Sequence, residues 1–378
     1  MHIEEFISVI EELEGTFFTG VPDSLLAPFM DFIISKYGIS SRHVVAANEG
    51  GAVGLAAGHY LATGKPAVVY MQNSGIGNAI NPICSLLHQK VYGIPAIFVI
   101  GWRGEPGTKD EPQHIFQGEV TLNQLEGLEI PYEVVSKDTT VTELATWAKK
   151  FNSHIQNGQS VAFVICKSAF VNEEKTKYTS KGELSREKVL ELIIENSDES
   201  DIFVCTTGKL SREVFEIRER KQMGHAQDFL TVGAMGHSLM IAYGIALAKC
   251  EKRVFCLDGD GAALMHLGSL GVVAVANQQN LVHVVVNNGS HETVGGVPTV
   301  GKELCFSEVA TALGYRHTFH VEREGKLLSV LSQLHELSGS VFIEIICNLD
   351  SRKDLGRPTT TPAQNKKDLM KFLKEDSK

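Results

Sequence analysis

Short apolar runs rich in β-branched residues recur along this chain, and segments with helical spacing separate most of them. In the first half the runs are TFFTGV, HVVAA, AVVYMQ, AIFVIG, YEVVS and VAFVIC; in the second they are DIFVCTTG, DFLTV, RVFCLDG, LVHVVVNN, RHTFHV and VFIEIIC. A strand apolar along its whole length must be covered on both faces, which is the setting of a parallel sheet flanked by helices. A polar stretch, VNEEKTKYTSKGELSREK, separates the two halves and leads into a helix expected to begin near Ser185. With 378 residues, about two domains are expected. The predicted organisation is two doubly wound α/β domains, residues 1–175 and 185–350, followed by a surface tail, 351–378, with a short last helix. In such sheets ligands bind at the carboxyl ends of the strands, so the loops after each run are where chemistry is sought.

Composition narrows the partners. The net charge is -10, with a pI near 5.8, which disfavours a nucleic-acid partner. Ile3, Phe6, Ile7, Ile10 and Leu13 fall at helical spacing, so the acidic N-terminus reads as an amphipathic helix and not as a signal peptide. No apolar run reaches the roughly 18 residues of a membrane span. The seven cysteines are scattered without a CxxC pair, the pattern of a reduced, cytoplasmic chain.

The run RVFCL ends in Gly259-Asp260-Gly261, and LVHVVV ends in Asn287-Asn288-Gly289. A dinucleotide fingerprint fails here, because its third glycine falls on Leu264; TGKP and TGKL lack the spacing of a P-loop. A turn with convenient glycines is one reading of the triplet. A metal-bridged diphosphate is another: an acid at one strand end and an amide oxygen at the next suit a hard cation such as Mg²⁺. Gly261 and Ala262 would then offer backbone N–H groups to phosphate oxygens. Residues 262–286 between the two motifs fit one helix and one returning strand.

This pattern resembles the thiamine-diphosphate fingerprint of the 2-oxoacid decarboxylase superfamily. The resemblance implies two domains of thiamine-diphosphate-binding fold, one for the pyrimidine and one for the diphosphate. It implies Asp260, Asn288 and the Ser290 carbonyl as Mg²⁺ ligands, with Gly259, Gly261 and Ala262 at the diphosphate. Asn287 is expected to be structural, and Asp258 to stand behind the ligands. AANEGGAVGLAAGHY resembles the superfamily's segment carrying the glutamate that serves the pyrimidine N1′, which is Glu49 here. TVGAMGHSLM resembles the loop that bends the cofactor, with Met235 as the wedge and Gly233 as a backbone contact. CTTGKLSRE places Thr207, Gly208 and Lys209 in a further cofactor loop.

The halves adjoin with no central third domain, as in the short branch of the superfamily, the phosphonopyruvate and sulfopyruvate decarboxylases. GVPDSLLAPF, WRGEPGTKDEPQH and NNGSHETVGGVPT carry that likeness. The implied reaction takes 3-phosphonopyruvate to phosphonoacetaldehyde and CO₂, in phosphonate biosynthesis; sulfopyruvate or another acidic 2-oxoacid is the alternative. Asp23 in GVPDS resembles the active-site acid of its loop, although Pro22 and the helical pattern that follows also suit a turn or N-cap aspartate. His114 is a candidate for proton transfer, with His291 a further one. A phosphonate dianion needs cations, and Arg103 and Lys109 in a loop rich in Gly and Pro are expected to supply them, with Lys209 and Arg212 as the other set. Glu49 and Asp260 fall in different domains, so the resemblance implies a homo-oligomer, at least a dimer, with its active site between subunits.

Overall fold

The computed structural model describes residues 1–172, 176, 178–180, 182–349 and 351–375. It divides into two compact units, 1–177 and 178–378. The expected boundaries at 175 and 350, and the last three residues of the tail, lie outside the described residues.

The first unit contains β1 (Phe18–Gly20), β2 (His43–Val45), β3 (Ala67–Gln72), β4 (Ala96–Gly101), β5 (Tyr132–Val135) and β6 (Val161–Ile165). They form one sheet in the order β2-β1-β3-β4-β6-β5, and every pairing is parallel. The second unit contains β7 (Ile202–Cys205), β8 (Asp228–Leu230), β9 (Val254–Gly259), β10 (Leu281–Asn287), a small antiparallel ribbon of β11 (Ser290–His291) and β12 (Val297–Pro298), then β13 (His317–Val321) and β14 (Val341–Ile346). Its main sheet runs β13-β14-β10-β9-β7-β8, again parallel throughout. Read from the opposite edge and leaving out the ribbon, this is the same topology as the first sheet. The two halves thus share one fold without a sequence repeat.

The apolar runs explain this architecture. In the second unit, Phe203, Phe255, Val284 and Ile343 belong to one buried layer, while their strand neighbours Val204, Cys256, Val285 and Phe342 belong to another. Both faces are covered, so each strand must be apolar at every position. The spacer between the two motifs forms two helices, Asp260–Met265 and Gly268–Ala276, in place of the single expected one.

The tail belongs to the second unit and does more than lie on its surface. Its helix, Pro362–Glu375, packs on the edge strand β8, where the Asn365 side chain accepts from Leu230 N (3.1 Å) and donates to Asp228 O (2.8 Å). An amide side chain here satisfies edge groups that would otherwise invite another strand. Asn365→Ala is expected to leave both backbone groups unpaired and to lower stability by about 1–3 kcal/mol. The check is a urea-unfolding midpoint; no movement would mean that water replaces the amide.

Candidate active site

In the second unit, β9 and β10 run side by side with Gly259 level with Val286, so the loops after them emerge together. Asp260 is buried at the start of its helix, and its carboxylate accepts from the backbone N–H groups of Asn288 and Gly261 and from the Thr299 hydroxyl. Burial outweighs these bonds and pushes its pKa up to about 6. The Asn288 amide donates to Glu292 Oε2 (3.2 Å), while its oxygen accepts from Ser290 N (3.1 Å). Glu292 is in turn paired with Arg186 and with Lys209 Nζ (3.2 Å). Burial works against its charge, yet Arg186, Ser351 and Lys209 together hold its carboxyl below the ordinary range.

Asn287 points inward. It donates to Gly301 O (2.8 Å) and Glu344 Oε1 (2.9 Å) and accepts from Gly289 N (3.0 Å). Asp258 is buried beside His283, 3.6 Å from its Nε2, in a layer that also holds Cys256. A carboxylate and an amide oxygen at adjacent strand ends, with the Ser290 carbonyl in the same loop, make an all-oxygen donor set of the kind a hard divalent cation takes.

The surroundings fit a bulky cofactor. A Cβ added to Gly261 would lie 2.9 Å from the His291 ring and 3.7 Å from Met235 Cε, so the bare glycine lets three loops meet. Enclosure pushes the His291 imidazole down to about 4, leaving it neutral near pH 7. The loop carrying Met235 holds Gly233 (φ 70°), Ala234 (φ 48°) and Gly236 (φ 86°) in the left-handed region. Ala234 is the costly member, and non-glycine strain of this kind clusters at ligand clamps. Gly233 N donates to Thr207 Oγ1 (3.0 Å), which joins the loops after β7 and β8. Gly208 (φ 99°) turns the chain into the helix that begins at Lys209. Ala262 is buried in the first turn after β9, and Gly259 has open space where a Cβ would stand. Lys209 is engaged with Glu292 and Ser351, and Arg212 with the backbone of Leu355 and Gly356, so neither side chain is a free cation.

In the first unit, Glu49 opens the helix Glu49–Thr63, with Asn48 as the N-cap that accepts from Gly51 N (2.8 Å). Glu49 is buried, its pKa is raised by that burial, and Asn78 Nδ2 donates to it at 2.9 Å. Gly75 gives it room: a Cβ there would come within 2.6 Å of the Glu49 Cγ and Oε1. Asp23 is also buried with a raised pKa. One oxygen accepts from Gln72 Nε2 (2.7 Å), and the other caps a local turn at Leu25 N (3.2 Å). His114 lies in the first turn of helix Pro112–Gly127, buried, with its pKa pushed down to about 4 first by burial and then by Arg103. Arg103 is not free. It binds Asp110 through Nε (2.8 Å) and Nη2 (2.5 Å), and Nη1 donates to Ser24. Buried Asn73 fastens the base of this loop by donating to Arg103 O (2.8 Å). Lys109 is exposed beside it.

The structure therefore assembles Asp260, Asn288, Gly261 and Met235 in one place and ties Thr207 to Gly233. Arg103 lines a groove with Lys109, but its guanidinium is held by Asp110. Sequence reading missed the partners that orient these groups: Thr299, Glu292, Asn78 and Gln72. Glu292 and Thr299 lie in NNGSHETVGGVPT, a stretch that carried the family likeness, and Gln72 ends the run AVVYMQ, but nothing local marked them, or Asn78, as partners of Asn288, Asp260, Asp23 and Glu49.

Two parallel six-stranded domains of one topology, with polar groups gathered at their strand ends, describe a cofactor-binding enzyme class, and the sequence relationships say which. Residues 3–126 match the family "Thiamine pyrophosphate enzyme, N-terminal TPP binding domain", and residues 206–345 match "Thiamine pyrophosphate enzyme, C-terminal TPP binding domain". The chain belongs to the thiamine pyrophosphate (thiamine diphosphate) enzymes. Over 376 residues it is 32% identical to the phosphonopyruvate decarboxylase of Streptomyces viridochromogenes, covering 95% of this chain and 92% of that one. It is 31% identical over 387 residues to the phosphonopyruvate decarboxylase of Streptomyces hygroscopicus, covering 98% and 94%. A sulfopyruvate decarboxylase of Methanosarcina acetivorans is 24% identical over 321 residues, covering 79% and 80%.

Proposed function

We propose that this enzyme decarboxylates 3-phosphonopyruvate to phosphonoacetaldehyde and CO₂, with thiamine diphosphate and Mg²⁺. The observation that carries the reading is the pairing of buried Asp260 with Asn288 at neighbouring strand ends, beside Gly261 and Met235, in a chain related along nearly its whole length to two phosphonopyruvate decarboxylases. Bound thiamine diphosphate supplies the carbon nucleophile and the electron sink that decarboxylation needs.

The chain's own residues have distinct tasks. Asp260, Asn288 and the Ser290 carbonyl hold Mg²⁺, and the N–H groups of Gly261 and Ala262 serve the diphosphate, with Gly259 leaving it room. Met235 and Gly233 shape the ring site, and Thr207 braces Gly233 from the neighbouring loop that continues through Gly208 and Lys209. Glu49 would be the residue facing the pyrimidine N1′, where a carboxyl whose pKa burial has raised could hold or release a proton. Asp23, its pKa likewise raised by burial, is the acid we assign to protonate the carbon that CO₂ leaves. His114, neutral above about pH 4, is a second proton carrier in that unit.

The working form we propose is a homo-oligomer, at least a dimer. Leu55, Leu61 and Ile80 in the first unit and Met240, Leu247, Val272 and Val275 in the second expose apolar side chains on helices, which supports a covering partner. Sedimentation showing a monomer at micromolar concentration would remove this part. Among the described residues no helix is long and apolar enough to cross a membrane, and the seven cysteines are unpaired, which supports a cytoplasmic location.

CO₂ release from phosphonopyruvate, with and without thiamine diphosphate and Mg²⁺, tests the proposal. Turnover dependent on both is expected, and faster than with sulfopyruvate. Faster turnover of sulfopyruvate would transfer the assignment to the sulfonate.

A further inference from the structure

The first unit contains a groove of ≈ 440 Å³, within the size range of small-ligand sites. Arg103, Lys109 and Lys167 are its cationic lining, and Asp110 is its carboxylate. Arg103 is consumed by the two-point contact with Asp110. Lys109 and Lys167 are exposed, and among the described residues neither has an ion pair, so two positive charges stand uncompensated in a chain of net charge -10. Lys167 follows β6, and sequence reading did not single it out.

Two independent features mark the groove as a built site. Ser168, also in the lining, holds a left-handed conformation (φ 62°), which a residue with a Cβ adopts only at a cost and which clusters at ligand clamps. Ser24, also in the lining, adjoins Asp23 in sequence, and its hydroxyl accepts from Arg103 Nη1 (3.0 Å). The groove is thus continuous with the loop of the buried acid. In 3-phosphonopyruvate one CH₂ separates the phosphonate from the reacting carbonyl carbon, so an anion site must adjoin the proton donor.

We propose that this groove is the phosphonate subsite and that Lys167, with Lys109, is what selects a dianionic 3-substituent. The proposal rests on the reading of Asp23 and of the substrate given above. Two ammonium groups balance a phosphonate dianion, whereas a sulfonate monoanion leaves one uncompensated, so the pair favours phosphonate by charge.

The test uses the full chain with Lys167→Met, which keeps the stem and deletes the charge, and Lys167→Arg, which keeps the charge. The probe is phosphonoacetate, which carries the phosphonate but no 2-oxo group. Calorimetric titration should show roughly 10- to 100-fold weaker binding to Lys167→Met, the loss of one charge-assisted contact, and near-wild-type binding to Lys167→Arg. The ratio of kcat/KM for phosphonopyruvate to that for pyruvate should fall by a similar factor in Lys167→Met. Phosphonoacetate binding within twofold of wild type in Lys167→Met would overturn the groove assignment, even if wild type releases CO₂ from phosphonopyruvate. Lys167-dependent binding in a protein that releases no CO₂ from phosphonopyruvate would leave the subsite standing and remove the substrate reading.

Discussion

Asp260→Ala is expected to abolish Mg²⁺-dependent binding of thiamine diphosphate while the protein stays folded. The carboxylate is 2% exposed and accepts from the Thr299 hydroxyl and from the backbone N–H groups around it. Those donors position it, but its pKa of about 6 shows that burial wins over them, so in the free protein it is a charge held at a cost. Alanine removes that cost along with those hydrogen bonds, and the two changes oppose each other in the stability of the free protein. Nothing opposes the loss in the complex, where the only carboxylate of the donor set disappears. A drop in affinity of more than about a thousandfold is expected, several kcal/mol, in line with removal of a buried charged partner. Calorimetric titration of thiamine diphosphate with and without Mg²⁺ decides the matter. An affinity that still rises on adding Mg²⁺ would remove Asp260 from the metal site.

Glu49→Gln should lower kcat by roughly 10²- to 10⁴-fold, the range of a lost acid–base group, while cofactor affinity changes little. The amide is nearly isosteric. Its oxygen can still accept from Asn78, and Gly75 leaves the same room, so the site keeps its shape. What it cannot do is take up and return a proton. Deuterium exchange at the cofactor's C2 position reports this directly, and a near-normal exchange rate would sink the assignment.

The same substitution has a stability signature. Burial raises the Glu49 pKa above its ordinary value of 4.5, so between the ordinary and the folded value the native state binds more protons than the unfolded one. Stability attributable to this group is therefore present below the ordinary value and falls as pH rises through the folded one. Glutamine has no such loss. The variant should match wild type at low pH and unfold at a higher temperature at pH 8. The opposite order would mean that partners not seen in the free chain stabilise the carboxylate.

The strand-end motifs were legible because their meaning is local. An acid between two glycines after an apolar run, and paired amides after the next, sit at strand ends in any parallel sheet that those runs can form. The helix-opening position of Glu49 follows in the same way from its place between HVVAA and a small-residue helix. Arg103 marks where such reading stops. In sequence it is a cation in a loop rich in Gly and Pro, open to an anionic ligand; in the fold its guanidinium is closed on Asp110, seven residues later. Nothing in the spacing announces that, because loop residues have no period that fixes which side chains meet. Lys167 is the converse case, invisible beside the loop cations in sequence and brought to the same groove by the parallel pairing of β4 with β6.

By itself, then, the sequence determined the parallel two-domain architecture and the places of Asp260, Asn288 and Glu49 at strand ends and a helix start, since each depends on hydrophobic periodicity and on what ends a strand. Only the tertiary structure decided which charges are already paired. Glu292 holds the Asn288 amide, Asp110 occupies Arg103, and among the described residues Lys109 and Lys167 have no ion pair. Those outcomes depend on distances of a few ångströms between residues far apart in the chain, and burial and Coulomb energy vary over that range far more steeply than any sequence pattern records.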